Sequence, residues 1–486
     1  MEEEEEGLLL DESSRAERRR LLNLNLNLKC GTGELWEEMK RLGYLTGPMV
    51  AVTLSFYLLQ VISLMMVGHL GELPLSSTSV AFSLAGVTGF SLLLGMASGL
   101  ETLSGQAFGA QEYEKLGTQT YTAILSLNIV CIPVSILWVY MGNLLKFIGQ
   151  DPQISVEAGR FLTWLVPALF GYATLQPLIR YYQMQSLIVP MLISSCITLC
   201  SHVAVCWALV LKSELRNLGG AVAMGLSIWL NVIILSLYMK YSSKCARTRS
   251  SLSMRVVDGM KEFFCLAIPS AGMICLEWWS FELLILLAGL LPNPQLETSV
   301  LSVCLTTLAT LYSIPYGLAA SASTRISNKL GAGNAQGAQI SVVALMLLVA
   351  VDALLVSSGV FAGRNVFGYI FSNEKEVVEY VAAMAPLVCV SVVMDSIQGA
   401  LSGVARGCGW QHIGACINLA AFYLFGIPIA AALGFWLNLR GRGLWIGVLS
   451  GATLQSVLLL TITSRTNWEK QAAEARKRLF TQDGQV

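Results

Sequence analysis

The sequence has few charged residues for its length. Asp, Glu, Lys and Arg make up 13% of the 486 residues and apolar residues make up 55%, whereas a soluble domain carries about 25% charged residues. Acidic and basic side chains are equal in number, 31 of each, so net charge gives no reason to expect a nucleic-acid partner. We therefore expect most of the chain to be surrounded by lipid.

Histidine is also scarce, and the cysteines do not form a metal or disulfide framework. The chain has three histidines and twelve cysteines, and most of the cysteines fall inside long apolar runs, where we interpret them as packing residues. Cys196, Cys200 and His202 lie close together on one run, but only the two cysteines share a helical face. Packing is therefore favoured over a metal site. We expect no metal, no cofactor and no catalytic residues.

Twelve long apolar runs take up most of the chain. Each has the length of about 20 residues that a helix needs to cross a bilayer. Because lipid offers no partners to backbone polar groups, and because the runs do not alternate, we predict an all-α polytopic membrane protein. The approximate cores of the runs are 44–67, 77–100, 118–141, 158–179, 188–211, 219–239, 263–290, 299–321, 339–362, 377–401, 412–436 and 444–463.

The placement of basic residues predicts that both termini lie in the cytosol. With the N-terminus inside, 23 of the 31 Lys and Arg residues fall on the cytosolic side, as the positive-inside rule requires. The basic segment 241–262 divides the chain near its middle. We predict a disordered cytosolic tail (1–40), an N-lobe of six helices (41–240), that basic linker (241–262), a C-lobe of six helices (263–465) and a cytosolic C-terminal tail (466–486).

Three pairs of matching features indicate an internal repeat. Pro48 and Pro269 open the first and seventh apolar runs, segments 104–110 and 326–332 follow the second and eighth, and Pro167 and Pro386 lie in the fourth and tenth. The offset in numbering is nearly the same for all three pairs. Because six crossings is an even number, the halves would have the same orientation, related by an axis along the membrane normal.

No Lys or Arg lies at the centre of a predicted helix, but four carboxylates lie within them, and a fifth, Glu101, lies at the end of the second. An ionised side chain at that depth costs a few kcal/mol or more, so such residues are candidates for function. A carboxylate can bind a proton and become neutral. Acids without neighbouring bases suit a site that binds a proton or another cation. The four are Glu277, Glu282, Asp352 and Asp395.

Glu277 is our first candidate for proton or cation coupling. It lies near the middle of the seventh helix, two turns after Pro269, which removes a backbone hydrogen bond and is a candidate hinge. Glu282 is a further candidate, but it lies about 140° around the helix and about 7.5 Å further along, so the two need different neighbours. The alternatives are a structural kink and a carboxyl hydrogen-bonded between helices.

Asp395 is the other coupling candidate. Its segment is unusually rich in small and polar residues; helix packing explains the glycines but not the acid. Asp352 lies among apolar residues and is the weaker candidate.

Polar and aromatic side chains near these acids are candidates for a substrate cavity. Aromatic rings stack on planar solutes and attract organic cations, although they are also common packing residues. We predict a cavity lined by Gln60, Trp278, Tyr312, Tyr316 and Gln398, with Trp279, Tyr181 and Tyr182 nearby.

An ATP-binding motif is absent: segment 331–334 is rich in glycine but lacks the Walker lysine and serine. Transport would therefore use an ion gradient or be passive.

Five segments together resemble the multidrug and toxic compound extrusion (MATE) family, and within it the plant DETOXIFICATION proteins. The resemblance runs from about residue 35 to residue 467. The segments are Met-Val-Gly-His-Leu-Gly-Glu-Leu (66–73), Glu-Thr-Leu-Ser-Gly-Gln-Ala-Phe-Gly-Ala (101–110), Cys-Leu-Glu-Trp-Trp-Ser-Phe-Glu (275–282), Thr-Arg-Ile-Ser-Asn-Lys-Leu-Gly-Ala-Gly-Asn (324–334) and Arg-Gly-Cys-Gly-Trp-Gln (406–411).

The resemblance implies twelve helices in two pseudo-symmetric six-helix lobes around a central V-shaped cavity. It also implies that Glu277 and Asp395 match a proton-coupling site of the C-terminal lobe in eukaryotic relatives. Many bacterial members have an aspartate in the first helix, which this sequence lacks. A cation site in the N-terminal lobe is therefore not supported.

The expected function is secondary antiport, in which an organic solute leaves the cytosol in exchange for protons, or alternatively for sodium ions, by alternating access. We expect a monomer in the plasma membrane or the vacuolar membrane. The alternatives are a channel or lipid flippase in which the buried carboxylates are structural, and a membrane-embedded enzyme. The enzyme would need a nucleophile or metal cluster that the acids here do not form.

Overall fold

Twelve helices are long and apolar enough to cross a membrane within the residues that the computed structural model describes, which are 32–250, 254–370 and 374–480. A shorter helix, α13 (Trp468–Phe480), follows them. The prediction of an all-α membrane protein with twelve spans is confirmed. The spans are α1 (Gly33–Gly68), α2 (Glu72–Gly109), α3 (Tyr113–Ile148), α4 (Pro152–Met184), α5 (Ile188–Lys212), α6 (Asn217–Tyr241), α7 (Arg255–Ala288), α8 (Pro294–Gly331), α9 (Ala335–Ile370), α10 (Lys375–Cys408), α11 (Gln411–Trp436) and α12 (Arg440–Ser464).

Local sequence signals explain several helix ends. The Asp151 carboxylate accepts hydrogen bonds from the backbone N–H groups of Gln153 and Ile154, at 2.8 and 3.0 Å, and so caps the start of α4. Asn334 caps α9 in the same way. Gly409, at a φ of 86°, ends α10 in the left-handed conformation that glycine adopts without strain.

The helices form two lobes of six. In the N-lobe, α4 packs against α3 and α6, and α1 packs against α5; in the C-lobe, α10 packs against α8, α9 and α12. Many large apolar side chains, among them Ile136, Leu354 and Leu424, remain exposed on the outside. Since lipid is as apolar as a protein core, this surface is what a bilayer stabilises.

At the end of the bundle where α1 begins and α12 ends, called here the terminal face, the backbones of the two lobes are in close contact. A Cβ atom on Gly109 of α2 would overlap the Asn328 carbonyl of α8, and one on Gly331 of α8 would overlap the Gln106 carbonyl of α2. The two glycines occupy matching positions in segments 104–110 and 326–332, the second pair of the internal repeat. This is the reciprocity that a two-fold axis between the lobes produces.

The ends of the chain are more structured than the sequence predicts. Residues 33–40, assigned to a disordered tail, form the first turns of α1, and Glu38 is buried there against Arg325 and Lys329 of the C-lobe, at 2.6 and 2.8 Å. The predicted C-terminal tail contains α13, which packs against α2, α8 and α9. In the predicted linker, α7 already begins at Arg255. Residues 1–31, 251–253 and 481–486 of these segments lie outside the described residues.

Candidate functional site

Glu277 lies inside the C-lobe, surrounded by amides. Its side chain is on α7, the residue is only 8% exposed, and its carboxyl is within hydrogen-bonding reach of Gln398 on α10 and Gln455 on α12. Amides can both donate and accept hydrogen bonds. The carboxyl therefore lies beside groups that can respond to either of its protonation states.

A chain of amides connects this carboxyl to the backbone of its own helix. Gln455 Nε2 donates to Asn418 Oδ1 at 2.8 Å, and Asn418 Nδ2 donates to the carbonyl of Met273 at 2.6 Å. Met273 lies one turn before Glu277 on α7. Asn418 itself immediately precedes a π-helical segment of α11, Leu419–Gly426, an irregularity frequent at functional sites.

Two acceptors around Glu277 have no donor. Among the described residues, the Oε1 atoms of Gln398 and Gln455 are buried without a hydrogen-bond partner. An unpaired buried polar atom costs about 1–3 kcal/mol. An ionised carboxylate can only accept hydrogen bonds, whereas a protonated carboxyl has an O–H to donate. A proton on Glu277 would thus place a donor beside these two amides.

Asp395 lies half-buried on α10, where it borders two narrow pockets inside the C-lobe. Phe281, Ser391 and Trp445 are among the residues lining the first pocket. Asp352, Tyr312 and Ser396 are among those lining the second. The phenol of Tyr312 is also within electrostatic range of both Glu277 and Asp395. The C-lobe therefore brings two of the predicted coupling residues, Glu277 and Asp395, near each other.

Glu282 lies apart from that pair. It points toward α2 of the other lobe, where Ser83 Oγ donates to its Oε2 at 3.3 Å. Beside it, Trp279 Nε1 donates to the Val87 carbonyl at 3.1 Å, within a π-helical segment of α2, Gly86–Phe90. Glu282 and Trp279 therefore contribute to the contact between α7 and α2.

The predicted cavity residues have different environments. Tyr312 and Tyr316 lie with ring centroids 6.4 Å apart, and the Tyr316 hydroxyl accepts a hydrogen bond from Arg180 of the N-lobe at 2.9 Å, so they lie at the lobe boundary. Gln60 is half-buried on α1, and Trp278 is 42% exposed. Gln398 is buried against Glu277.

The expectation that Tyr181 and Tyr182 lie near a cavity is wrong. Both are fully buried in the N-lobe core, where their hydroxyls bond to Thr248 Oγ1 and to the Leu235 carbonyl. At Pro269, α7 is continuous from Met260 to Ala288, so the hinge remains a prediction.

A buried ion cluster at the base of the lobe boundary was not among the sequence predictions. Glu101 of α2 binds Arg180 of α4 through Oε1, at 3.1 Å, and Arg406 of α10 through Oε2, at 2.9 Å. The side chains are 1%, 2% and 7% exposed, respectively. Two guanidinium groups and one carboxylate leave one positive charge uncompensated within this cluster.

Both arginines were missed because the apolar runs that predicted the helices end before the helices themselves do. The predicted apolar cores stop at 179 and 401, but α4 and α10 continue to Met184 and Cys408. A signal was available in the sequence, since the two arginines lie near the ends of corresponding helices of the two halves and each precedes a glutamine, Gln185 or Gln411, by five positions.

The histidine near the cysteines has ordinary packing partners. His202 lies between the hydroxyls of Ser63, at 3.1 Å, and Ser227, at 2.8 Å. Cys196 and Cys200 are exposed on the same helix. These contacts agree with the packing interpretation.

The match to known proteins divides the chain into the same two lobes. A family model described as MatE matches residues 48–208 and 269–432, one match in each lobe. The chain belongs to the MatE family. The Arabidopsis thaliana protein DETOXIFICATION 12 is 59% identical over 447 residues, which cover 92% of this chain and 93% of that protein.

Solved structures of MATE transporters have the same fold. The eukaryotic MATE transporter AtDTX14 is similar with a TM-score of 0.89 and 58% identity, over 92% of this chain and all of that one. The Vibrio cholerae transporter VcmN, in its bent form, has a TM-score of 0.78 at 16% identity, over 92% of this chain and all of that one, which shows the shared fold alone. The protein is thus a multi-pass membrane transporter of the DETOXIFICATION type, an efflux protein for small molecules and not an enzyme.

Proposed function

We propose that this MatE transporter exports organic solutes from the cytosol in exchange for protons, with Glu277 and Asp395 as the coupling residues. The observation that supports this most is that Glu277 lies beside two amides, Gln398 and Gln455, whose oxygens are buried without a hydrogen-bond donor. Such a site is stabilised differently in the two protonation states of the carboxyl. It therefore suits a residue that binds and releases a proton in each cycle.

Proton binding would act on α7 through the hydrogen bonds around Glu277. A protonated carboxyl donates to an amide oxygen of Gln398 or Gln455, and the amide that receives this bond has to turn. Gln455 is bonded to Asn418, which holds the backbone carbonyl of Met273. A turn of the amide therefore loosens the hold on α7 one turn before Glu277 and one turn after Pro269, the proposed hinge.

Charge links the coupling site to the lobe boundary. The cluster of Glu101, Arg180 and Arg406 carries one excess positive charge, and Arg406 is within electrostatic range of Glu277. An ionised Glu277 offsets that charge. Once Glu277 is protonated, it no longer offsets the excess positive charge of the cluster, which then repels a cationic solute from the base of the space between the lobes.

Solute would bind between the lobes above this cluster. Tyr312 and Tyr316 present aromatic rings at the boundary, and rings attract organic cations and stack on planar groups. Gln60 and Trp278 are the further candidates for solute contact. These groups suit plant secondary metabolites and xenobiotics that carry aromatic or cationic parts.

Alternating access requires that the terminal face open and close. The basic residues near this face favour its placement in the cytosol, so the present conformation is the one closed to the cytosol. Both the plasma membrane and the vacuolar membrane have an acidic compartment on the opposite side. We propose that a monomer works in one of these membranes.

The test is solute uptake by proteoliposomes under imposed ion gradients. Proton-driven antiport predicts that an acidic lumen drives saturable uptake, that a protonophore abolishes it and that an equal sodium gradient does not replace it. Uptake driven by sodium alone would make sodium the coupling ion. Non-saturating uptake that ignores both gradients would favour a channel, and lipid movement without solute transport would favour a flippase.

A further inference from the structure

Asp352 and Asp395 lie on adjacent helices and line the same pocket. Asp352 is at the middle of α9, and Asp395 and Ser396 are on α10. The pocket that they share is otherwise lined mostly by apolar side chains, together with Tyr312 and Pro315. It is narrow, with room for about one water molecule. Two carboxyls of the C-lobe thus face one small space.

Ser396, the residue that follows Asp395 on α10, bonds to Asp352. Its hydroxyl, buried between the helices, donates to Asp352 Oδ2 at 3.2 Å. A hydroxyl is both donor and acceptor, so it can pass a proton on by receiving one and releasing its own. Asp352 is therefore bonded to the residue next to Asp395 and shares the pocket with Asp395 itself.

The ionisable groups that line this pocket are all acids. From α10 the pocket receives Asp395, from α9 Asp352, and from α8 the phenol of Tyr312; none of the described residues that line it is Lys or Arg. The other elements that pack on α9 are α1 and α13, and Glu38 of α1 meets α9 at Ser341, three turns away from Asp352. Without a counter-charge, two carboxylates in one poorly hydrated pocket repel each other, which favours a proton shared between them.

Asp352 also lies at the edge of the lipid-facing surface. It is half-buried, while Val351, Leu354 and Leu355 beside it are 51%, 69% and 69% exposed. An ionised carboxylate at the edge of hydrocarbon costs several kcal/mol. A purely structural role would be served as well by Asn or Ser, which carry no such cost, so a titrating role accounts better for an acid at this position.

We propose that Asp352 is a third proton-carrying residue of the transporter, which exchanges a proton with Asp395 through the pocket and the Ser396 hydroxyl. In the exchange the O–H bond of a protonated Asp395 breaks and an O–H bond forms on Asp352. Asp395 is left ionised, Asp352 becomes neutral, and the serine regains its hydroxyl. This inference rests on the proposed proton antiport and adds a carrier on the lipid side of Asp395.

The experiment compares Asp352→Asn, Asp352→Glu and Ser396→Ala in proteoliposomes, with uptake measured against the pH of the proton-donating side. The D352N protein keeps the hydrogen bond from Ser396 but cannot hold a proton or repel the Asp395 charge. We expect this variant to reach half of its maximal uptake only when the proton-donating side is about half a pH unit or more below the wild-type value, which is roughly threefold in proton concentration. It should also move fewer protons per solute. D352E should restore the wild-type profile, and S396A should slow uptake without lowering the number of protons per solute.

The outcomes separate this inference from the proposed function. If D352N has the wild-type pH profile and proton-to-solute ratio while Glu277→Gln is inactive, Asp352 carries no proton and only the inference fails. If Glu277→Gln also transports normally under a proton gradient, the proposed coupling itself fails. Should D352N not reach the membrane, the S396A rate decides, and a wild-type rate overturns the exchange through the serine.

Discussion

Arg180 and Arg406 bind the two oxygens of one carboxylate, Glu101, from opposite lobes. The three side chains are almost fully buried, so water screens their interactions little, and the one carboxylate holds together two guanidinium groups that would otherwise repel each other. Removing one partner of such a buried set costs about 3–5 kcal/mol, because a charge is left unpaired. The cluster therefore stabilises the closed terminal face as long as all three members are present.

Glu101→Gln should open the terminal face. Two guanidinium groups would then lie close together without their carboxylate, and separation of the lobes relieves that repulsion. Cys408, which is buried at the end of α10 beside this cluster, provides the measurement in an otherwise cysteine-free protein. We expect maleimide to label it at least tenfold faster in E101Q.

The matched control is Glu297→Gln. Glu297 is equally buried, but it is held within the C-lobe by the Tyr380 hydroxyl at 2.9 Å and the Gly441 N–H at 3.1 Å. That variant should label at the wild-type rate. Unchanged labelling in E101Q would show that the cluster does not hold the face closed.

Gly109→Ala and Gly331→Ala should have similar effects, since their contacts are related by the axis between the lobes. In each variant the new Cβ overlaps a backbone carbonyl of the other lobe, which cannot move as a flexible side chain does. Both should increase the distance between spin labels attached at Glu114 of the N-lobe and Lys470 of α13, two exposed sites.

Gly359→Ala is the control for these two variants, because nothing lies within 4 Å of a Cβ at that position. Its label distance should equal that of the wild type. A shift in only one of the two variants at the boundary would contradict the symmetric account of the contact.

The parts of the fold that depend on length and hydropathy could be predicted from sequence, and the contacts between halves could not. Twelve apolar runs specify twelve spans, and depth singles out four carboxylates, of which Glu277 is one. The ion pair of Glu101 with Arg406, by contrast, joins residues whose numbers differ by 305. An arginine just beyond an apolar run resembles an ordinary helix end until the fold shows what it contacts.

Glu38 illustrates the same limit. The acidic and basic residues before the first apolar run are typical of a solvated tail, yet Arg325, Lys329 and Ser341 bind this carboxylate. All three partners belong to the other half of the chain, so local composition gives no sign of them.

Asn418→Leu should weaken the connection between the coupling site and α7. The change removes the donor to the Met273 carbonyl and the acceptor of the Gln455 amide, and each buried group left unpaired costs about 1–3 kcal/mol. We expect a lower melting temperature in detergent and a reduced ratio of protons to solute in proteoliposomes.

Asn128→Leu is the comparison for that variant. Its amide bonds to the Ile124 carbonyl and to Thr174 inside the N-lobe, far along the chain from the coupling residues. It should lower stability while leaving the ratio of protons to solute unchanged. Equal ratios in the two variants would mean that the amide chain plays no part in coupling.

Proton movement driven by solute tests most directly whether protons cross the membrane in exchange for solute through Glu277. Solute is added to proteoliposomes without a pH gradient, and the lumenal pH is recorded with a trapped dye. The wild type and Glu297→Gln should move protons out of the lumen as solute enters, whereas Glu277→Gln, folded and incorporated to the same level, should move none. Proton movement at the wild-type rate in E277Q would contradict the account.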